Sequence, residues 1–198
     1  MLEMLPDCRV VAFEPNPDVF QNLSGLFSPD RVTVEMKGLG ASDEVLKFYD
    51  RQDRGGASAH GSLYREVIED LHHVDAVEKE ITTTTLDGYA EASGIDHIHL
   101  LKIDTEGHEL EVLRGASGLL QQKQIDLIQI EFNEMNVISR VFFRDFAETL
   151  SDYRAFRLLP SGVLPIKNYP LKTELFAFQN LVFVHNRFAP SDRMKPAA

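Results

Sequence analysis

Apolar positions along this chain recur with two periods, every second residue and every third or fourth, and the changes of period mark its elements. Cys8 to Phe13 (CRVVAF) is a short apolar, β-branched run that stops at Glu14, Pro15, Asn16 and Pro17, a cluster that ends a strand and starts a turn. Val19 to Phe27 then has helical spacing, with apolar Phe20, Leu23 and Leu26/Phe27. A strand is predicted at Val32 to Met36. Val45 to Tyr49 and Lys79 to Thr84 are β-rich, and the polar, glycine-bearing segment Asp50 to Ser62 between them reads as a flexible loop or lid. A short helix at Asp87 to Ala92 leads to the strand Ile98 to Ile103, which ends at Asp104. Leu110, Leu113, Ala116 and Leu120 share the face of one following helix, with Glu106 and Glu109 in its first turn, where the helix dipole favours negative charge. Ile125 to Phe132 is the next strand, and Ile138, Phe142, Phe146 and Leu150 mark the next helix face. Two late strands lie near Ala155 to Leu159 and Leu181 to Val184. Strands and helices alternating in this way predict an α/β fold, a mostly parallel sheet with helices on both faces.

Composition narrows the function classes. The 198 residues suit one ordinary domain, placed at 1–188 with a polar tail at 189–198. Thirty-one acidic against 20 basic side chains give a net charge of −11, which repels a phosphate backbone and an anionic lipid surface, so neither nucleic acid nor membrane is an expected partner. The longest strongly apolar stretch, Leu175 to Val184, is about half of the roughly 20 residues a membrane-spanning helix needs. Glu3 and Asp7 near the start argue against a secretory signal, and a cytoplasmic location is expected. A single cysteine, Cys8, excludes a thiolate metal cluster and reads as buried filler.

In open parallel sheets ligands bind beyond the carboxyl ends of the strands, and acidic groups recur there. Glu14 follows the first strand, Asp43 lies beyond the second, Asp104 ends the central strand, and Glu131 sits near the end of a later one with Asn133 just after it. An acidic residue at an early strand end can accept both ribose hydroxyls of a nucleoside. On position alone Glu14 also reads as a cap for the following helix. EPNP after one strand and KIDTEGHELEVLRGA after another, with Asp104 90 positions beyond Glu14, resemble the FkbM family of S-adenosylmethionine-dependent methyltransferases. GLGASD (Gly38 to Asp43), GGASAHGSL (Gly55 to Leu63), TTTTLDGY (Thr82 to Tyr89) and IQIEFNE (Ile128 to Glu134) extend the resemblance from Arg9 to about Val184. It implies a class I, Rossmann-like methyltransferase fold, S-adenosylmethionine as cofactor, and O-methylation of a hydroxyl on a sugar or natural product. It places Glu14 and neighbouring Asn16 at the cofactor ribose, Gly40, Ala41, Ser42 and Asp43 against the adenine, and Asp104 and Glu106 where methyl donor meets acceptor.

Methyl transfer from a sulfonium is an in-line displacement in which the protein positions two reactants and removes the acceptor proton. Asp104, Glu106 and His108 lie within five residues at one strand-to-helix turn, and Glu131 comes from the neighbouring strand end. These four are the candidate catalytic residues: converging carboxylates raise one another's pKa, supply a base, and could hold a hard divalent cation. Read separately, Glu106 and Glu109 stabilise a helix start, His108 is a solvated first-turn residue, and His72 and His73 form a solvated face. Lys102 either reaches the pocket or pairs with an acidic neighbour. The sequence departs from the class at its beginning: only 13 residues precede Glu14, none of them glycine, where a first strand, glycine-rich loop and helix need roughly 25 to 30. The first βα unit is therefore expected to be missing, so that this chain alone is expected to bind the cofactor weakly or not at all and to be weak or inactive by itself. The gap between the Glu14 strand and the Asp104 strand is expected to stay open or be filled by another strand. A non-catalytic scaffold and a nicotinamide-dependent oxidoreductase are the alternative functions.

Overall fold

The computed structural model describes residues 5–51, 61–167 and 174–188. Its first unit is the parallel pair β1 (Val10–Phe13) and β2 (Val32–Glu35), joined by α1 (Pro17–Leu23). Pro17 suits the first helical turn, where its missing N–H is not needed, and the Asn16 side chain caps the helix by accepting from the Asp18 N–H at 3.2 Å. The helix is shorter than the spacing predicts. It stops at Ser24, Gly25 turns the chain at φ 85°, and Leu26 and Phe27 are left exposed.

A second sheet places β5 (Ala76–Thr84) between the two-residue strand β3 (Gly38–Leu39), parallel to it, and β4 (Glu44–Arg51), antiparallel to it. Most of the predicted lid, 52–60, falls outside the described residues. Its end is held: Tyr49 and Ser62 exchange backbone hydrogen bonds of 2.8 and 2.9 Å, and a π-helical turn, Val67–Leu71, follows.

The third sheet carries the main core. It runs β6 (Ile98–Ile103), β7 (Ile125–Phe132), β10 (Gln179–His185), β8 (Tyr153–Leu159), β9 (Gly162–Pro165). The β6/β7 pair is parallel and every later pair antiparallel, so parallel pairing is confined to the half of the molecule that carries the acidic strand ends. Ile125, Ile128, Ile130, Phe132, Leu181 and Phe183 are buried in this sheet, against Leu113, Phe143 and Phe146 from the helices.

Two predicted helices are each broken in two. The first becomes α3 (Glu109–Arg114) and α4 (Ser117–Gln121), following α2 (Leu86–Ser93). The break is made by Asp87: its N–H donates to the Gly115 carbonyl at 2.9 Å, and its carboxylate accepts from the Gly118 and Leu119 N–H groups at 2.7 and 3.0 Å, starting a new helix. Gly115 is required there, because a Cβ on it would lie 2.0 Å from the Gly40 carbonyl oxygen. Gly115→Ala is expected to cost about 1–3 kcal/mol, the scale of forced overpacking, read as a lowered denaturant midpoint; an unchanged midpoint would mean that the strand end yields freely. The second predicted helix becomes α5 (Met135–Ser139) and α6 (Phe143–Thr149), separated by Arg140 at φ 57°. Phe142 leaves the buried face, while Glu174 accepts from the Phe143 and Arg144 N–H groups at 2.9 and 3.1 Å and so caps α6.

Among the described residues β1 pairs with β2 alone and β6 with β7 alone. No ladder joins 9–13 to 99–103, so the expected gap stays open, and both strands line one cleft of about 2140 Å³.

Candidate active site at the carboxyl ends of the parallel strands

The register Ile103↔Ile130 puts the next residues on each strand, Asp104 and Glu131, side by side, although 27 positions separate them. Asp104, Glu106, His108 and Glu131 come to one end of the sheet around the cleft, together with Glu14 and Asn16 on its other wall. Gly38 and Leu39 line the cleft as well, whereas Gly40, Ala41, Ser42 and Asp43 do not. Gly40 is buried beneath His108, whose Nε2 lies 3.3 Å from where a Gly40 Cβ would stand. Ala41 to Asp43 form an exposed turn in which Ser42 donates to Glu44 at 2.6 Å.

The turn after β6 departs from a helix start. Glu106 has φ 54° and Gly107 φ 106°, so two successive residues occupy the left-handed region and Glu106 precedes α3. A non-glycine residue held there is strained, and such strain persists only where neighbours fix it. Glu109 fixes it. Its buried carboxylate accepts from the Thr105 N–H (3.1 Å), the Thr105 hydroxyl (3.1 Å) and the Gly107 N–H (2.9 Å) through Oε1, and from the Asn136 amide (3.1 Å) through Oε2. The Ser62 hydroxyl donates to the Glu106 carbonyl at 2.8 Å, so the end of the predicted lid rests on the same turn, with the Tyr64 ring against Gly107.

This packing sets the electrostatics. Burial pushes the Glu106 carboxyl up to about 8, with the charges of Asp104, Glu131 and Glu109 adding to the effect. Glu131 is also raised, first by burial and then by Asp104, while the Asn133 amide holds its Oε1 at 3.0 Å. Lys102 pairs with Asp104 at 2.6 Å and also lines the cleft, so both of its readings hold. His108 is not a solvated first-turn residue: burial lowers its pKa against the opposing charges of Glu111 and Glu44, and its Nδ1 is shielded from solvent. His72 is likewise half-buried on the cleft wall, and only His73 is exposed. Cys8 is half-buried, beside Arg31, whose Nε donates to its carbonyl at 3.1 Å.

Across the cleft, Glu14 does not cap α1; Asn16 does. Glu14 Oε1 accepts from the Asn16 N–H at 2.8 Å, burial raises its pKa, and the residue lines the cleft. Asn16 is committed elsewhere: its Nδ2 donates to Asp50 at 2.8 Å, and Lys79 bridges Asn16, Asp18 and Asp50. Periodicity gave no sign of Ser62, Tyr64 or Asn136. Only the spacing of Asn133 and Asn136 after a strand, in which the Asn133 N–H donates to Asn136 Oδ1 at 3.0 Å, marks that turn. Among the described residues the carboxylates of Asp104, Glu106 and Glu131 do not bring three ligand atoms within 4.8 Å of one another, so the hard cation they could hold has no preformed three-ligand cluster there.

Parallel strands whose carboxyl ends deliver acidic groups to one cleft make this an α/β protein of the Rossmann-like class. The chain belongs to the Methyltransferase FkbM domain family, whose model matches residues 2–157. It is 30% identical over 126 residues to Hexuronic acid methyltransferase AglP of Haloferax volcanii, covering 62% of this chain and 47% of that protein. It is 27% identical over 145 residues to Methyltransferase 1 of Beauveria bassiana, covering 65% and 55%. The chain thus spans about half the length of the curated relatives it matches. The crystal structure of Methyltransferase FkbM from Methylobacillus flagellatus aligns with 88% of this chain and 36% of its own, at 17% identity and a TM-score of 0.46. Among the described residues no helix is long and apolar enough to cross a membrane.

Proposed function

We propose that this chain is the catalytic part of an S-adenosylmethionine-dependent O-methyltransferase whose acceptor is a hydroxyl on a sugar or sugar-bearing small molecule. Glu106 carries the reading: a carboxyl lifted to about 8, flanked by Asp104 and Glu131, on the cleft that Glu14 also lines. Membership of the family favours methyl transfer over nicotinamide chemistry or a scaffold role, and the relative named for hexuronic acid supports a sugar acceptor. Glu14 suits a ribose, because its carboxylate is anchored through one oxygen on the Asn16 N–H and lines the cleft at the end of β1. The cofactor supplies the electrophilic methyl group.

The remaining work falls to the protein. Glu106 in its ionised form takes the proton from the acceptor hydroxyl as the oxygen attacks, and a base with a pKa near the working pH does this best. Asp104 and Glu131 keep the proton affinity of Glu106 high, and Asn133 and Lys102 hold those two carboxylates in place. Titration calorimetry with S-adenosylmethionine tests the cofactor half. Glu14→Ala is expected to weaken binding by about 1–3 kcal/mol, the cost of a hydrogen bond to a charged group, or roughly 5- to 150-fold. An unchanged affinity would confine Glu14 to holding Asn16.

A further inference from the structure

A second cluster of ligating side chains lies at the opposite end of the central strands. His97 and His99 are two positions apart on the approach to and entry of β6, and a period of two puts both imidazoles on one face. The register Ile98↔Ile125 makes Asp126 the neighbour of His99 on β7, on that same face. One ligand atom from each of His97, His99 and Asp126 lies within 4.8 Å of the other two, and the imidazole rings stand 4.9 Å apart, edge to face. Asp126 is buried, and its two oxygens are divided: Oδ2 accepts from His97 Nε2 at 2.9 Å, and Oδ1 is held by Arg187. Five residues of strand, roughly 16 Å, separate His99 from Asp104, so this cluster takes no part in the proposed chemistry.

We propose that His97, His99 and Asp126 form a binding site for a borderline divalent transition metal of the Zn2+ type. The donor set selects the class: two imidazole nitrogens and one carboxylate suit Zn2+, Co2+ or Ni2+, whereas Mg2+ and Ca2+ take oxygen ligands. The geometry needs only side-chain movement. Bonds of about 2.0–2.1 Å at tetrahedral angles put ligand atoms roughly 3.4 Å apart, so atoms within 4.8 Å close by about an ångström while the strands stay fixed. His97 Nε2 binds the metal in the tautomer that carries the ring proton on Nδ1, and so exchanges its contact with Asp126 for the metal. Arg187 keeps Oδ1 and so fixes the orientation of Oδ2, the arrangement by which outer partners orient a ligating carboxylate. Three protein ligands leave one position for water, and the bound ion ties the amino ends of β6 and β7 together.

The alternative is a metal-free ion pair, His97–Asp126–Arg187, with His99 a bystander. Titration of tag-free, chelator-treated protein with Zn2+ separates the two, because His99→Ala leaves that ion pair intact while removing a ligand. Wild type is expected to bind one equivalent at micromolar or tighter affinity and to melt at a higher temperature with Zn2+ present. His99→Ala should bind at least about tenfold more weakly and lose that thermal shift, with an unchanged melting temperature in chelator. The Co2+-loaded wild type supplies a reading independent of any variant: intense visible bands of a low-coordinate ion with nitrogen ligands are expected. Absence of stoichiometric Zn2+ binding, equal affinity in His99→Ala, or the pale spectrum of aqueous Co2+ would each overturn the site.

Discussion

Glu106→Gln is expected to lower kcat by about 10²- to 10⁴-fold, the scale of losing a general base, and at the same time to make the protein more stable in alkaline solution. The second effect follows from proton linkage. A glutamate in the unfolded chain titrates near 4.5, and in the fold Glu106 titrates at about 8, so between these values the folded state holds a proton that the unfolded state has released. Stability therefore falls as pH rises through that window. Moving the carboxyl from 4.5 to about 8 corresponds to roughly 4–5 kcal/mol lost once the window is crossed. Glutamine has nearly the same shape and does not ionise, so the variant keeps what the wild type loses. Denaturant midpoints should coincide at pH 4 and separate progressively to pH 9, with the variant higher. In the wild type, kcat should rise with pH through about 8, as ionised Glu106 accumulates. Parallel stability profiles for the two proteins would place Glu106 in a solvated setting and remove it as the base.

The parts of the fold that the sequence made legible are those in which one residue pattern answers to one structural demand. Ile98–Ile103 and Ile125–Phe132 are found at the bounds their apolar runs predict: β7 is buried inside the sheet, β6 is an edge strand paired along it that buries Leu101 and Ile103, and Asp104 and Asn133 follow their last residues. The juxtaposition of Asp104 and Glu131 was legible for the same reason, since parallel strands joined by a helical crossover bring their carboxyl ends together. Helices were less legible. The face through Leu110, Leu113, Ala116 and Leu120 is real in the sense that Leu110, Leu113 and Ala116 are buried, yet it spans two helices, because a distant Asp87 takes the backbone groups at Gly115, Gly118 and Leu119. Periodicity records which side faces the core. It does not record a side chain 31 and 32 positions away from the N–H groups it takes, which interrupts the backbone ladder.

The candidate site divides in the same manner. Its acidic groups could be picked out from their positions after strands, but the groups that position them are read only from the structure. Asn16 looks like a cofactor contact in the EPNP motif, and its side chain is spent on the cap of α1 and on Asp50. The adenine segment Gly40 to Asp43 was placed by resemblance, while in the structure Gly40 is buried under His108 and Ala41 to Asp43 form an exposed turn, held by the Thr83 hydroxyl donating to the Ser42 carbonyl at 3.0 Å. Gly38 and Leu39, two residues earlier, reach the cleft because β3 ends against β5 before the chain turns away.

Glu109→Ala is expected to be the most destabilising of the single substitutions considered, at about 3–5 kcal/mol, since it leaves buried donors without an acceptor. The Thr105 and Gly107 N–H groups and the Asn136 amide all point at a carboxylate that is 2% exposed. The substitution also releases Glu106 from its left-handed conformation, so loss of activity should accompany loss of stability. Glu109→Gln separates the two. Its carbonyl oxygen still accepts from Thr105 and Gly107, but its amide meets the Asn136 amide donor, and Asn136 cannot turn over because its Oδ1 already accepts from the Asn133 N–H. A smaller loss of about 1–3 kcal/mol is expected. Removing this negative charge beside Glu106 also lowers the Glu106 pKa, so the rise of kcat with pH should move to lower pH in Glu109→Gln. A merely structural Glu109 would lower the midpoint and leave that profile where it was; a Glu109→Ala variant as stable as wild type would mean that the turn needs no such anchor.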